Sequence, residues 1–178
     1  MALHLIEVTI DGAHREAADA ALDAVADAAT ATGTELLEAN VTGDHARAFV
    51  VLVSDDRDAA VAAARATGLR FTGPDEVRLV GATIDAVRAS RDAASARYLV
   101  EWDFPADLTM DGYLARKQEK TPLYEQVPEV SFLRTYVRED MQKCLCLYDA
   151  PGEQEVRRAR EVVSTPITRL HALDGDAR

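Results

Sequence analysis

Alternating apolar and polar positions along this chain predict strands, and apolar positions three or four residues apart predict helices. Over the first 82 residues the two patterns alternate in the order βαββαβ. The predicted elements are a strand at 4–10, an Ala-rich helix at 13–33 that ends at a glycine, strands at 35–41 and 46–54, a helix capped by Asp55 or Asp56, and a strand at 76–82.

The same order returns over residues 97–173, in a tandem repeat of about 75 residues. The segment LIEVTI aligns with LVEWDF, which places Glu7 against Glu101. The segment AFVVLVSDDRDAAV aligns with KCLCLYDAPGEQEV, which places Val51 against Cys146.

A βαββαβ unit folds as a four-stranded antiparallel sheet with two helices on one face, and its other face is left bare. The predicted fold class is therefore α+β: tandem ferredoxin-like βαββαβ repeats packed sheet to sheet as an internal pseudo-dimeric α+β barrel. We expect one repeat at 1–82, a linker helix at 83–96 and a second repeat at 97–178.

The net charge of the chain limits the kinds of molecule that it is expected to bind. Thirty-one acidic and twenty basic residues give a net charge of −11, which disfavours nucleic acid and anionic membranes because binding phosphate requires Lys and Arg. The longest apolar run, AFVVLV, is too short to span a bilayer, and the start of the chain does not resemble an export signal, so we expect a cytoplasmic protein.

Strand alternation predicts which side chains face the space between the repeats. On the strand 144–149, Leu145 and Leu147 suit the helix side, so the cysteines are assigned to the cavity. A disulfide between cysteines one residue apart would be strained, so reduced thiols are expected, and the favoured role of the pair is that of small residues filling the core. The predicted cavity-facing residues are Glu7 from the first repeat and, from the second, Glu101, Asp103, Phe132, Arg134, Tyr136, Cys144, Cys146, Tyr148 and His171.

Polar groups that converge in an apolar cavity are costly unless paired, so this cavity is the predicted ligand site. The leading hypothesis is a small-molecule-binding protein, or a cofactor-independent lyase, isomerase or cyclase acting on a small anionic substrate. Its catalytic residues would be Arg134 as the anion clamp, Glu101 as acid or base, and Tyr136. The alternative for Glu101 is a structural ion pair with Arg134 or Arg97.

Three segments of the second repeat, LVEWDFPADLT, FLRTYV and CLYDAPGEQEVRRA, resemble a family of small bacterial nickel-binding proteins with a dimeric ferredoxin-like fold. The resemblance places Glu101, Tyr136 and Cys146 at family positions. Two family histidines are missing, one replaced by Arg134 and the other absent from VRRARE, and arginine is a poor metal ligand. These departures disfavour a nickel site built on those imidazoles.

Two alternative functions stay open. The first is binding of nickel or another transition metal by Cys144 or Cys146 with Glu101 and His171. The second is a non-catalytic assembly module that forms a homo-oligomer through its sheet edges. The irregular segment 115–130 is either a lid over the cavity or an ordinary connection.

Overall fold

The computed structural model describes residues 1–90 and 96–175, which form two compact units. The first unit comprises residues 1–77, 83–90 and 173–175, and the second comprises 78–82 and 96–172. The spatial order of the strands is Glu35–Val41, Arg47–Ser54, Ala2–Thr9 and Arg70–Val80 in the first unit, and Ser131–Arg138, Lys143–Asp149, Tyr98–Asp103 and Arg169–Ala172 in the second. Each unit is described by itself.

The elements of the first unit follow the predicted order. They are β1 Ala2–Thr9, α1 Arg15–Thr32, β2 Glu35–Val41, β3 Arg47–Ser54, α2 Arg57–Ala66, β4 Arg70–Val80, whose last residues belong to the second unit, and α3 Ile84–Ala89.

The second unit repeats the order with an added helical turn. Its elements are β5 Tyr98–Asp103, α4 Met110–Lys120, a 3₁₀ helix Thr121–Gln126, β6 Ser131–Arg138, β7 Lys143–Asp149, α5 Glu153–Val162 and β8 Arg169–Ala172.

The ends of the helices have clear causes in the sequence. The side chain of His14 accepts a hydrogen bond from the Ala17 N–H at the start of α1, and Gly33 ends that helix with a φ of 69°, a conformation that glycine adopts without strain. Asp56 caps α2 through the Ala59 N–H, so the second of the two predicted caps is the one used.

Two connecting segments contain short helices. The linker helix predicted at 83–96 is the short helix α3, capped by Thr83, and residues 91–95 of that prediction lie outside the described residues. Within 115–130, α4 continues to Lys120 and the chain then forms the 3₁₀ helix with Pro122 at its start, because proline is accepted in a first turn.

The helices of each unit cover one face of its sheet. In the first unit the apolar core joins β1 residues Ile6 and Val8 to the buried face of α1. In the second unit the corresponding core joins Val100 and Trp102 of β5 to Val156 of α5. In both units the adjacent glutamate, Glu7 or Glu101, therefore points to the face away from the helices.

Candidate functional site

The two cysteines lie on the helix-covered face of the second unit, so the prediction that Cys144, Cys146 and Tyr148 face away from the helices was wrong. Cys146 lies opposite Val100 in the sheet. Facing strand residues share a side, and all three side chains belong to the core formed with Val156 of α5.

The predicted alignment of the two repeats was also wrong by one residue at this strand. Val50 lies opposite Ile6 in the first unit, just as Cys146 lies opposite Val100 in the second. Cys146 therefore corresponds to Val50 and not to Val51. A shift of one residue turns every side chain of a strand to the other face.

Phe132, Arg134 and Tyr136 of β6 were predicted to share a face, but a β-bulge separates Phe132 from the other two. The register shifts between Phe132 and Arg134, so Phe132 packs into the helix-side core while Arg134 and Tyr136 lie on the opposite face. The assignment of Phe132 was therefore wrong, because a bulge adds one residue to the alternation. The catalytic roles of Arg134 and Tyr136 stay predictions.

Glu101 lies at the centre of a cluster of ion pairs on the face away from the helices, and its side chain is wholly buried. The Nζ atom of Lys143 lies 2.7 Å from Oε2, and Nε of Arg169 lies 2.9 Å from Oε1. The Nε2 atom of His171 lies 2.8 Å from Oε1, and Arg169 also binds Asp103 at 2.7 Å. The predicted grouping of Glu101, Asp103 and His171 is present.

This cluster keeps Glu101 ionised. Burial opposes the charge, but hydrogen bonds from His171, Arg169 and Lys143 outweigh it and hold the pKa of the carboxyl well below its usual range. Such a carboxylate is a weak base and has no proton to donate near neutral pH. Of the two roles left open for Glu101, the geometry favours the structural ion pair, with Lys143 and Arg169 as its cations.

In the first unit, the carboxylate of Glu7 binds the guanidinium of Arg47. Glu7 is only about one-tenth exposed, so this pair offsets part of the cost of burying its charge. Its predicted ligand-binding role stays a prediction.

The predicted metal ligands are not brought together. Cys144 and Cys146 lie on the helix-covered face of the sheet, whereas Glu101 and His171 lie on the other. Within residues 1–90 and 96–175, no group of three or more His, Cys, Asp or Glu side chains is placed to hold a metal ion. The described residues therefore do not fit the nickel site that this ligand set would form.

The helix-covered face of the second unit contains a pocket that the sequence analysis missed. Its volume is about 400 Å³ including the open mouth, and a water-sized sphere can occupy about 40 Å³ of it. We call it the Arg160 pocket. Its lining residues are Trp102, Tyr113, Arg116, Lys117, Lys120, Thr121, Tyr124, Phe132, Cys146, Arg160, Val163 and Thr165.

Four of these lining residues are cationic and none is acidic, although the chain as a whole carries a net charge of −11. Lys117 has its Nζ atom 3.6 Å from the centre of the Phe132 ring, and burial lowers the pKa of the ammonium. Arg116 donates from Nη2 to the backbone carbonyl of Ser164. Its buried Nε atom has no hydrogen-bond partner.

Arg160 is the most unusual of the four because it is only 3% exposed. Its Nη1 atom donates to the Tyr148 hydroxyl at 3.2 Å and to the Cys146 sulfur at 3.5 Å, and Nη2 donates to the carbonyl of Pro166. Its buried Nε atom has no partner. Among the described residues, no ion pair joins Arg160 or Lys117 to a carboxylate.

The two cysteines are not joined in a disulfide, as predicted, and the environments of their thiols differ. A hydrogen bond from Cys144 lowers the pKa of Cys146, and Arg160, Thr135 and Lys117 act in the same direction against the effect of burial. Burial raises the pKa of Cys144.

One signal in the sequence could have identified Arg160. Buried residues of α5 include Val156 and Ala159, and helical spacing places position 160 on the same face. With the corrected one-residue shift, Arg160 corresponds to Ala64, which is fully buried in α2. The first unit thus has an alanine where the second has a buried cation.

Comparison with known proteins agrees with the resemblance read from the sequence. A family model described as "Nickel responsive protein SCO4226-like" matches residues 98–173, which is most of the second unit. A search among curated proteins found no match. The family match covers the strands of both the Glu101 cluster and the Arg160 pocket.

Solved structures resemble the chain in fold. One described as "Putative Chlorite dismutase TA0507" has a TM-score of 0.59 at 11% identity, over 98% of this chain and 96% of that one. A "putative monooxygenase" from Lactobacillus acidophilus NCFM has a TM-score of 0.49 at 9% identity, over 97% and 92% of the two chains. The first likeness confirms the predicted α+β, ferredoxin-like fold class.

In the part of the chain that the structure describes, no helix is both long and apolar enough to cross a bilayer.

Proposed function

We propose that the second unit binds a small anionic molecule, with a carboxylate, phosphate or sulfate group, in the Arg160 pocket. One observation supports this proposal above the others: the guanidinium of Arg160 is almost completely buried and no carboxylate among the described residues pairs with it. A buried charge without a counter-ion is costly, and a bound anion removes that cost.

The rest of the pocket suits the same class of ligand. Arg116 and Lys117 add positive charge, and the Nε atoms of Arg116 and Arg160 are donors without acceptors. A charged oxyanion accepts such hydrogen bonds strongly. The accessible space of about 40 Å³ suits a small group and not a bulky cofactor.

The proposed ligand is a small anion, as the sequence predicted, but its proposed site is on the other face of the sheet. A small anion was expected beside Arg134, on the face of the sheet away from the helices, whereas the Arg160 pocket lies beneath the helices. Binding is the function that these contacts support. The lyase, isomerase or cyclase chemistry assigned to Glu101, Arg134 and Tyr136 stays a prediction.

Thermal unfolding with a panel of anions tests the proposal. Phosphate, sulfate and succinate are compared with chloride at equal ionic strength, and at least one should raise the Tm with a saturable dependence on concentration. A ligand present at 100 times its Kd stabilises by about 2.7 kcal/mol, or roughly 5 to 10 °C in Tm for a domain of this size.

Two substitutions make the test specific to the pocket. Arg160→Gln should abolish the saturable rise, while Arg157→Gln, which removes an exposed arginine from the same helix, should retain it. If Arg160→Gln does not fold, Lys117→Met removes a pocket cation and keeps most of its volume. An equal rise in all variants would show a general salt effect and contradict the proposal.

A further inference from the structure

The Arg160 pocket contains a sulfur atom that two donors and a second sulfur atom approach. Thr135 Oγ1 lies 3.4 Å from Cys146 Sγ, Arg160 Nη1 lies 3.5 Å from it, and Cys144 Sγ lies 3.7 Å from it. A thiolate accepts hydrogen bonds from several donors better than a thiol does, because it has no proton of its own to place. The geometry therefore matches an ionised Cys146.

The charge of Arg160 leads to the same conclusion independently. This guanidinium belongs to a residue that lines the same pocket, it is buried without a carboxylate partner, and its Nε atom has no acceptor. In the absence of a ligand, Cys146 and Tyr148 are the two ionisable groups that Arg160 Nη1 contacts, and burial raises the pKa of the Tyr148 phenol well above its usual range, which leaves Cys146 to balance the charge. Cys144 lies beside it but is not among the residues that line the pocket.

We propose that Cys146 is the nucleophile of the pocket and forms a covalent bond with small electrophiles that carry a carboxylate, which Arg160 and Lys117 hold in place. This inference rests on the proposed function, since the electrophile must bind as an anion before it reacts. Cys146 would then be a catalytic or modification site, and Arg160 and Lys117 would orient the electrophile.

The step is balanced in atoms and charge. A lone pair of the Cys146 sulfur forms the bond to the electrophilic carbon, and the bond from that carbon to its leaving group breaks, with both electrons departing on the leaving group. No proton moves, because the sulfur is already ionised. The carboxylate of the adduct then replaces the thiolate as the anion beside Arg160.

Two simple alkylating reagents provide the test. Iodoacetate and iodoacetamide react by the same displacement with loss of iodide, but only iodoacetate is anionic. We expect iodoacetate to label native Cys146 before Cys144, as located by tandem mass spectrometry. The rate ratio of iodoacetate to iodoacetamide should exceed that of the unfolded chain by about tenfold or more, because the pocket concentrates anions.

Substitutions test whether the pocket causes the higher rate ratio of iodoacetate to iodoacetamide. Arg160→Gln or, if that variant does not fold, Lys117→Met should lower the ratio towards that of the unfolded chain, and Arg157→Gln should leave it unchanged. Preferential labelling of Cys144, or a native ratio equal to the unfolded one, would overturn the proposal.

The two proposals can fail separately. If phosphate, sulfate or succinate raises the Tm of the native protein saturably but Cys146 does not react, the anion pocket stands and the nucleophile is rejected. If Cys146 reacts equally with both reagents and no anion raises the Tm, anion binding and the nucleophile proposal that depends on it are both rejected.

Discussion

The Nζ atom of Lys143 lies 2.7 Å from Oε2 of Glu101, and the glutamate side chain is completely buried. Arg169 and His171 bind the same carboxylate, so one buried anion joins β5, β7 and β8 on the face away from the helices. Removing one partner of a buried ion pair is much more harmful than replacing the whole pair, because it leaves charges uncompensated. Glu101 should therefore contribute strongly to stability.

Glu101→Gln should lower the free energy of unfolding by about 3 kcal/mol at pH 7. The folded-state pKa of Glu101 is below its unfolded value, so its contribution is present above about pH 4.3 and is lost as the pH falls through the folded value. Denaturant unfolding at pH 7 and pH 3 should show the difference between variant and wild type shrinking in acid. Glu125→Gln, at an exposed glutamate, is the control, and equal stability of Glu101→Gln and wild type would contradict the structural role.

His4 provides a second acid-sensitive group, in the first unit. Its side chain is buried, and neither ring nitrogen has a hydrogen-bond partner. Burial lowers the pKa of the imidazole. Arg57 lowers the pKa further, and Glu76 and Asp56 oppose the shift. Its contribution is complete above about pH 6.5 and is lost as the pH falls through the lower folded value. His4→Leu should lose less stability between pH 7 and pH 5 than wild type in thermal unfolding. Identical slopes would show that His4 does not titrate on unfolding.

The matching family is described as nickel responsive, but the predicted metal ligands of this chain lie apart. The cysteines lie on the opposite face of the sheet from Glu101 and His171, so we expect no stoichiometric nickel, copper or zinc to remain after loading and dialysis. Elemental analysis of the purified protein measures this directly. One equivalent of retained metal, lost in a Cys146→Val variant, would show that the thiols bind metal.

Much of the fold was predictable because the hydrophobic periods are clear. The alternation of LVEWDF places Glu101 and Asp103 on one face and Val100 and Trp102 on the other, as observed. The association of His171 with Glu101 followed from the same rule.

The Arg160 pocket could not be derived in the same way. In the segment CLCLY every position is apolar, so alternation alone cannot assign its faces, and the choice of the leucines for the helix side was wrong. A bulge before Arg134 leaves no sequence mark. The burial of Arg160 depends on tertiary packing, which overrides the general tendency of arginine to be exposed.

A double-mutant cycle should reveal the dependence of Arg160 on Cys146. Cys144→Val should change stability by less than about 1.5 kcal/mol, since it nearly conserves an apolar volume. Cys146→Val should be more destabilising, because it removes a partner of a buried guanidinium. Adding Arg160→Met should recover part of that loss, with a coupling energy of about 0.5–3 kcal/mol in denaturant unfolding. Strict additivity would show that the two side chains do not interact.

Calorimetric titration with phosphate, sulfate and succinate tests the central claim most directly. For the anion that raises the Tm, wild type and Arg157→Gln should bind one equivalent with the same Kd. Arg160→Gln should bind at least tenfold more weakly, because hydrogen bonds to charged groups contribute about 1.5–3 kcal/mol. Arg134→Gln, which alters the face away from the helices, should bind as wild type does. Undiminished binding by Arg160→Gln would contradict the account. Loss of binding in Arg134→Gln alone would contradict it too, and would place the anion on the other face of the sheet.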